Sequence, residues 1–334
     1  VPRAVSAGEQ HGASIWWAPD KEDEAALPPL AVDGVPEEVD LSAGARPHEP
    51  GVLANAVFMV GRGERLDGRV VILGSDGSTY ALAVGRLEPV ADEGGNSYPA
   101  LGQESVSPAG DHVFFRQRSS LEVYDLGAGR WTTIELPDGR AERARWIAVE
   151  NVTNPDEGPI DRIWVPDPTD PTGRAGTTYD ADGRPRGTEW ISAFAPWAAG
   201  GGDTYGPLRR DPVGIHLSGL GPAIAQAQFP DVELRGPGGS LASGVDTVAT
   251  RDRSGQVSSV LALPYGQGGR WKACCPVVGW LGGPGTVLLE SRGDVTRVLA
   301  WKVGTPELFG VTELTGWVPG EDLVVVGWAQ LGPG

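Results

Sequence analysis

A chain of 334 residues with 40% hydrophobic residues and twelve tryptophans has ample material for a core, and the lack of a long polar tract excludes a disordered protein. Fifty glycines and 29 prolines without a fixed short period exclude collagen and fit turns scattered between many short strands. A net charge of −17 and a pI near 4.6 exclude the clustered cations that nucleic-acid binding draws on, leaving a cationic ligand, a metal ion or plain solubility as the meaning of the acidity.

No stretch reaches the roughly eighteen apolar residues needed to span a bilayer, so no membrane insertion by this segment is expected. The chain starts at Val1 rather than Met, which leads us to expect a removed leader or tether. Lysine occurs only at Lys21, Lys272 and Lys302, and the Ala, Gly and Pro load resembles a high-GC bacterial proteome.

In chain order, Ala13–Trp17 reads as a strand, 27–36 as a Pro-rich connection and 37–41 as another strand. A hairpin follows, with 69–73 turning through Ser75-Asp76-Gly77-Ser78 into 80–84. The clearest unit spans 104–137. Ser107-Pro108-Ala109-Gly110-Asp111 is a turn cluster, Val113-Phe114-Phe115 an apolar strand, 121–126 an alternating strand, and Gly127-Ala128-Gly129 leads into 131–136. With 103–106 this makes a meander of four antiparallel strands, one blade of a β-propeller. The same grammar recurs at 283–314 and, more worn, at 145–190, 205–233 and 244–278. The last stretch, 323–328, starts a unit and stops. Pairing it with 13–17 would complete a blade from both ends and remove two open strand edges. The expectation is therefore an all-β chain, residues 1–334 forming a single β-propeller domain of seven blades, with six as the alternative, in which residues 1–42 complete the last blade with 317–331.

Ser107-Pro108-Ala109-Gly110-Asp111-His112-Val113-Phe114-Phe115 followed by Val123-Tyr124-Asp125-Leu126 resembles the repeat of WD40-like and TolB-like propellers. That resemblance implies the fold and transfers no catalytic residue. Ala109 stands where the repeat usually has Asp, and the His and Trp signatures of true WD40 repeats are absent.

Chemistry-bearing motifs are sparse. The histidines His11, His48, His112 and His216 show no zinc-site spacing, and His112 at a strand entry is assigned no role. No nucleophile elbow or phosphate loop is present, and Gly61-Arg62-Gly63 lacks the third glycine of a dinucleotide fingerprint. Asp180-Ala181-Asp182-Gly183 reads as a hairpin turn, with calcium bound by Asp180 and Asp182 as the alternative; no other cofactor is expected. Trp16, Trp17, Trp146, Trp164, Trp190 and Trp197 are candidate ligand-binding aromatics at a rim, against the alternative that they pack one sheet on the next. Cys274 and Cys275 are adjacent; strand alternation sends their sulfurs to opposite faces, so two structural free thiols are expected rather than a vicinal disulfide.

These features point to a monomeric, non-catalytic recognition or scaffold module of the bacterial cell envelope, extracytoplasmic or secreted, taking a protein, peptide or carbohydrate at one rim and no nucleic acid. Unequal loops at 154–176 and 195–208 are the expected place for such binding. The rival is a carbohydrate hydrolase or lyase using carboxylates gathered in a central funnel.

Overall fold

The structure, a computed structural model, describes residues 1–42, 45–61, 69–85, 90–91, 97–98, 100–102, 105–137, 141, 144–149, 160–167, 169–170, 175–190, 213–216, 224–228, 233–242, 245–251, 257–264, 277–281, 285–317 and 321–329. The chain is all-β: strands alternate with tight turns, and the helical segments among the described residues are the 3-10 turns Lys21–Ala26 and Pro237–Gly239. None of these is long and apolar enough to cross a membrane. The chain divides into two compact units, one of Val1–Val32, Pro196–Leu314 and Gly332–Gly334, the other of Asp33–Ala195 and Thr315–Leu331.

The first unit holds a six-stranded sheet and a four-stranded meander. The meander runs Val277–Leu281, Thr286–Ser291, Thr296–Lys302 and Leu308–Thr315, each strand antiparallel to the last. In the six-stranded sheet Val213–His216, Ile224–Gln228, Thr247–Arg251 and Val257–Ala262 form antiparallel neighbours. Ala13–Trp17 then adds parallel to Val257–Ala262, and Val5–Gln10 adds antiparallel as the edge strand. Ala18, Trp280 and Trp301 meet Leu261 and Leu289 in one buried cluster, while Ile15, Val260 and Leu234 fill another. The 3-10 turn Lys21–Ala26 is tied down by a buried charge. Glu24 sits 2.7 Å from Lys21 Nζ, accepts from the Ser291 hydroxyl and lies 3.9 Å from Arg297. Such a group is expensive to bury unless paired, so it fixes one docking position for this turn rather than adding much net stability.

Among the described residues the second unit holds three sheets of three or more strands and the two-stranded pair Val90–Ala91 and Ser97–Tyr98. In the first, Asp322–Trp328 pairs antiparallel with Ala54–Gly61, followed by Arg69–Gly74 and Thr79–Leu82, with Arg46–Pro47 parallel at the end. Arg69 secures this arrangement by donating to the carbonyls of Leu41 and Gly316, 2.8 Å each, and to Glu321 at 3.0 Å. The second sheet is His112–Arg116, Ser120–Asp125 and Arg130–Glu135, with Val106 bridging Val113 in the place of a fourth strand. The third is Arg145–Val149, Ile160–Pro166, Ala175–Tyr179 and Pro185–Trp190. Gly110, at φ +72°, has to be glycine: a Cβ there would run into the Ala54 carbonyl, whose own amide donates to Gly110 O at 2.7 Å.

Two expectations need correction. Five sheets of three or more strands are present among the described residues where seven blades were expected. The stretches 205–233 and 244–278 were counted as separate units, but Ile224–Gln228 pairs along its length with Thr247–Arg251, so their strands share one sheet. The anticipated terminal blade is also not made. Ala13–Trp17 takes Val257–Ala262 as its partner, and Asp322–Trp328 takes Ala54–Gly61, so each end covers the open edge of a different sheet.

Three of the four strands expected in the best-formed repeat are present, and the fourth is reduced among the described residues to the Val106–Val113 bridge. Phe114 and Phe115 point to opposite faces and both are fully buried, Phe114 against Trp146 and Ile163, Phe115 against Tyr124 and Val70. Phe114→Ala should therefore cost about 3–5 kcal/mol in urea-induced unfolding. A loss below about 1 kcal/mol would mean that this face is not packed.

Candidate functional site

Of the six candidate tryptophans, Trp146 and Trp164 are core residues. Trp146 is 4% exposed and donates its indole N–H to the Ser105 carbonyl at 2.9 Å; Trp164 is fully buried with the Arg145 guanidinium 5.2 Å from its ring centre. They serve sheet packing, as the alternative reading of blade tryptophans held. Trp16 is half-buried beside the Trp280 cluster, with its N–H on the Ser14 hydroxyl. Trp190 ends the strand Pro185–Trp190; Trp197, the loop 195–208, Cys274 and Cys275 lie outside the described residues.

Asp180 and Asp182 are each taken up by an arginine. Asp180 accepts from the Arg184 amide at 2.8 Å and from the Arg186 guanidinium at 2.9 Å, and Asp182 accepts from Arg130 at 3.1 Å. Burial pushes the Asp180 carboxyl up, but the amide and Arg186 outweigh it and hold it below its ordinary range. The turn closes with Gly183 at φ +81°, the backbone geometry of an ordinary hairpin turn.

Trp17 is different. It donates its indole N–H to the Arg235 carbonyl at 3.1 Å and lines a cleft of about 600 Å³ in the first unit. Its floor continues through Ala18 and Pro19. One wall is the chain from Pro2 to the edge strand at Val5; the facing wall is Gly236, Pro237, Ser240 and Leu241, with Pro264 beside them. Asp20 and Asp23 stand with Arg3 on the lining, two carboxylates to one guanidinium.

The facing wall is a small hairpin, Leu234–Arg235 paired with Leu241–Ala242, whose bend is closed by Gly236 N–H on the Ser240 carbonyl at 2.6 Å. Gln10 clamps its base: the side-chain amide donates to Arg235 O at 2.9 Å and accepts from Arg235 N–H at 2.7 Å. The walls are thus joined at the Gln10 end, and two large apolar side chains beside the opening, Val5 and Leu241, are 48% and 58% exposed. Surface apolar groups on facing walls of one cleft mark a binding site more than singly scattered ones do.

A second cluster sits in the other unit, around His112. The Ser107 hydroxyl donates to Asp111 Oδ1 at 2.7 Å and accepts the Asp111 and His112 amides, and His112 Nδ1 lies 2.8 Å from the same carboxylate. Asp161 of the neighbouring sheet accepts the Ala109 amide at 2.8 Å. Sequence reasoning assigned His112 no part here, because the Asp161 side of the cluster is contributed from far along the chain. Burial depresses the His112 pKa, but the Asp111 hydrogen bond and charge, with Asp125 and Asp161, raise it above the ordinary value. Burial acts on Asp111 too, and there His112 and Ser107 outweigh it, leaving the carboxyl low. Asp161 is the opposite case: burial, with the Asp111 charge added, pushes it up to about 6 against the Ala109 amide. These carboxylates are engaged in holding a turn and joining two sheets.

A folded-state carboxyl pKa raised above its unfolded value means that the native state holds the proton more tightly, so this group's stabilising contribution is lost as pH rises from about 4 to about 6. Asp161→Asn keeps an acceptor for Ala109 N–H and removes that loss. Unfolding measured from pH 4 to 7 should show the variant gaining on the native protein by about 1–2 kcal/mol across this window. A constant difference between the two would show that Asp161 does not titrate there.

No protein-family model matches the chain, and no curated protein matches it in sequence. Among solved structures it is similar to BBS1N in complex with ARL6DN, at 10% identity over 84% of this chain and 72% of that one, with a TM-score of 0.25. It is also similar to AztD from Citrobacter koseri, at 10% identity over 80% of this chain and 98% of that one with a TM-score of 0.26, and to a eukaryotic initiation factor, at 12% identity over 88% of each with a TM-score of 0.23. At this level of overlap these likenesses carry no conclusion about fold or activity.

Proposed function

We propose that the chain is a non-catalytic recognition module of a bacterial envelope protein, built from blade-type sheets of a β-propeller and displayed outside the cytoplasmic membrane. Its ligand seat is the cleft between the edge strand Val5–Gln10 and the hairpin at 234–242. The observation that carries this reading is the pair of exposed apolar side chains, Val5 and Leu241, on facing walls of a cleft whose base is held by Gln10 and Trp17. A preformed seat tied by the Gln10 and Trp17 hydrogen bonds loses less entropy on binding than one that must be ordered. Support for the propeller reading is the repeated antiparallel meander, seen in full at 145–190 and 277–315. The arginine-over-lysine composition supports the bacterial assignment.

The hydrolase alternative would place its acid and base on Asp111 and Asp161. Thermal unfolding in the presence of panels of peptides and of oligosaccharides separates the two, since a ligand that binds the native state raises Tm. A stabilisation that Leu241→Ser abolishes and Asp161→Asn leaves intact is the expected result. Stabilisation by an oligosaccharide that depends on Asp161 and ignores Leu241, together with release of shorter sugars, would overturn the proposal.

A further inference from the structure

Building on that reading of the cleft, we infer that its ligand is an extended peptide that pairs with the outer edge of Val5–Gln10, inserts an apolar side chain between Val5 and Leu241, and carries lysine or arginine beside it. Three features of the first unit converge on this chemistry. The strand Val5–Gln10 ends the sheet order, with Ala13–Trp17 on its inner side and no strand on its outer side among the described residues. A sheet edge offers backbone donors and acceptors in an extended row, the means by which peptides are recognised through strand addition.

The hairpin wall meets the edge strand at its Gln10 end. Gly8 on the strand and Gly238 and Gly239 on the hairpin bend all have positive φ, and a Cβ added at any of them would meet nothing within 4 Å. These positions present bare backbone with open space beside it; the Gly8 amide is taken by the Ser6 hydroxyl and the Ala7 carbonyl by the Gln10 amide, which leaves pairing to the Val5 end of the strand. The Gln10 side-chain amide, donating to the Arg235 carbonyl and accepting from the Arg235 N–H, already makes the pair of contacts that a neighbouring strand would make with Arg235. It closes the groove at one end and sets where a peptide would begin.

Charge then selects among extended peptides. Asp20 and Asp23 outnumber Arg3 on the lining, and the whole chain carries −17, so a cationic segment is drawn in and an acidic one repelled. The apolar component follows from Val5, Leu241 and Pro237, which offer contact area to an apolar side chain.

The test uses the whole chain and pooled, fluorescein-labelled octapeptides with valine or leucine alternating with lysine, read by fluorescence anisotropy. Binding should weaken roughly tenfold or more when glutamate replaces lysine, when alternate peptide nitrogens on one edge are methylated, and in the Leu241→Ser protein. Because Leu241 is largely exposed, that variant should keep its Tm, and Val5→Ser provides an independent check from the facing wall. Unchanged affinity of the methylated peptides would overturn the strand pairing. Should the pool fail to bind while a chito- or cello-oligosaccharide binds in a Leu241-dependent manner, the peptide class is wrong and the cleft remains the recognition site. If neither class responds to Leu241→Ser or Val5→Ser, both the peptide and the cleft are wrong.

Discussion

The architecture depends on one constraint: a β-sheet edge left open presents unsatisfied backbone groups and has to be covered, paired or made unattractive. This chain meets it with strands brought from its two ends. Asp322–Trp328 lies along Ala54–Gly61, and Ala13–Trp17 lies parallel to Val257–Ala262. Such non-local pairings cost loop-closure entropy, and each is anchored by charge. Arg69 joins Leu41, Gly316 and Glu321 in one unit, and buried Glu24 meets Lys21 and Ser291 in the other. A buried ion pair adds little net stability but is costly to break, which suits it to fixing position.

The edge strand Val5–Gln10 keeps an outer side that no described strand covers. Its surroundings carry features that discourage indiscriminate pairing, namely the bulge at Gly8 and the Gln10 clamp. What remains is a short recognition surface bounded by a hairpin and biased by charge. The same elements that complete the sheet therefore shape the cleft: Trp17 packs among Ile15, Val260 and Leu234 while its N–H fixes the hairpin wall.

Strands and turns were legible in the sequence because period-two alternation and Gly/Asp/Asn turn chemistry are local signals. Ala13–Trp17 and the strands of the Phe114 repeat lie where they were expected. Sheet membership was not legible, since which strand bonds to which depends on partners hundreds of residues away; two worn repeats sharing one ladder look identical in sequence to two blades. Trp17, Trp146 and Trp164 look alike in the sequence, since the burial of each depends on sheets built from other segments. Val5 and Leu241 left no signal beyond proximity to glycine- and proline-rich turns. Arg130 and Arg186, which take up Asp182 and Asp180, sit on different strands, so these partners were legible only in three dimensions.

The recognition cleft is the central claim, and hydrogen–deuterium exchange of the intact chain with and without the apolar-cationic peptide tests it most directly. Protection on binding should concentrate at 3–10 and 234–242, where edge and wall amides become shielded, and leave 105–125 and 160–166 unchanged. Protection confined to the His112 cluster, or none in the cleft at saturating peptide, would contradict the account.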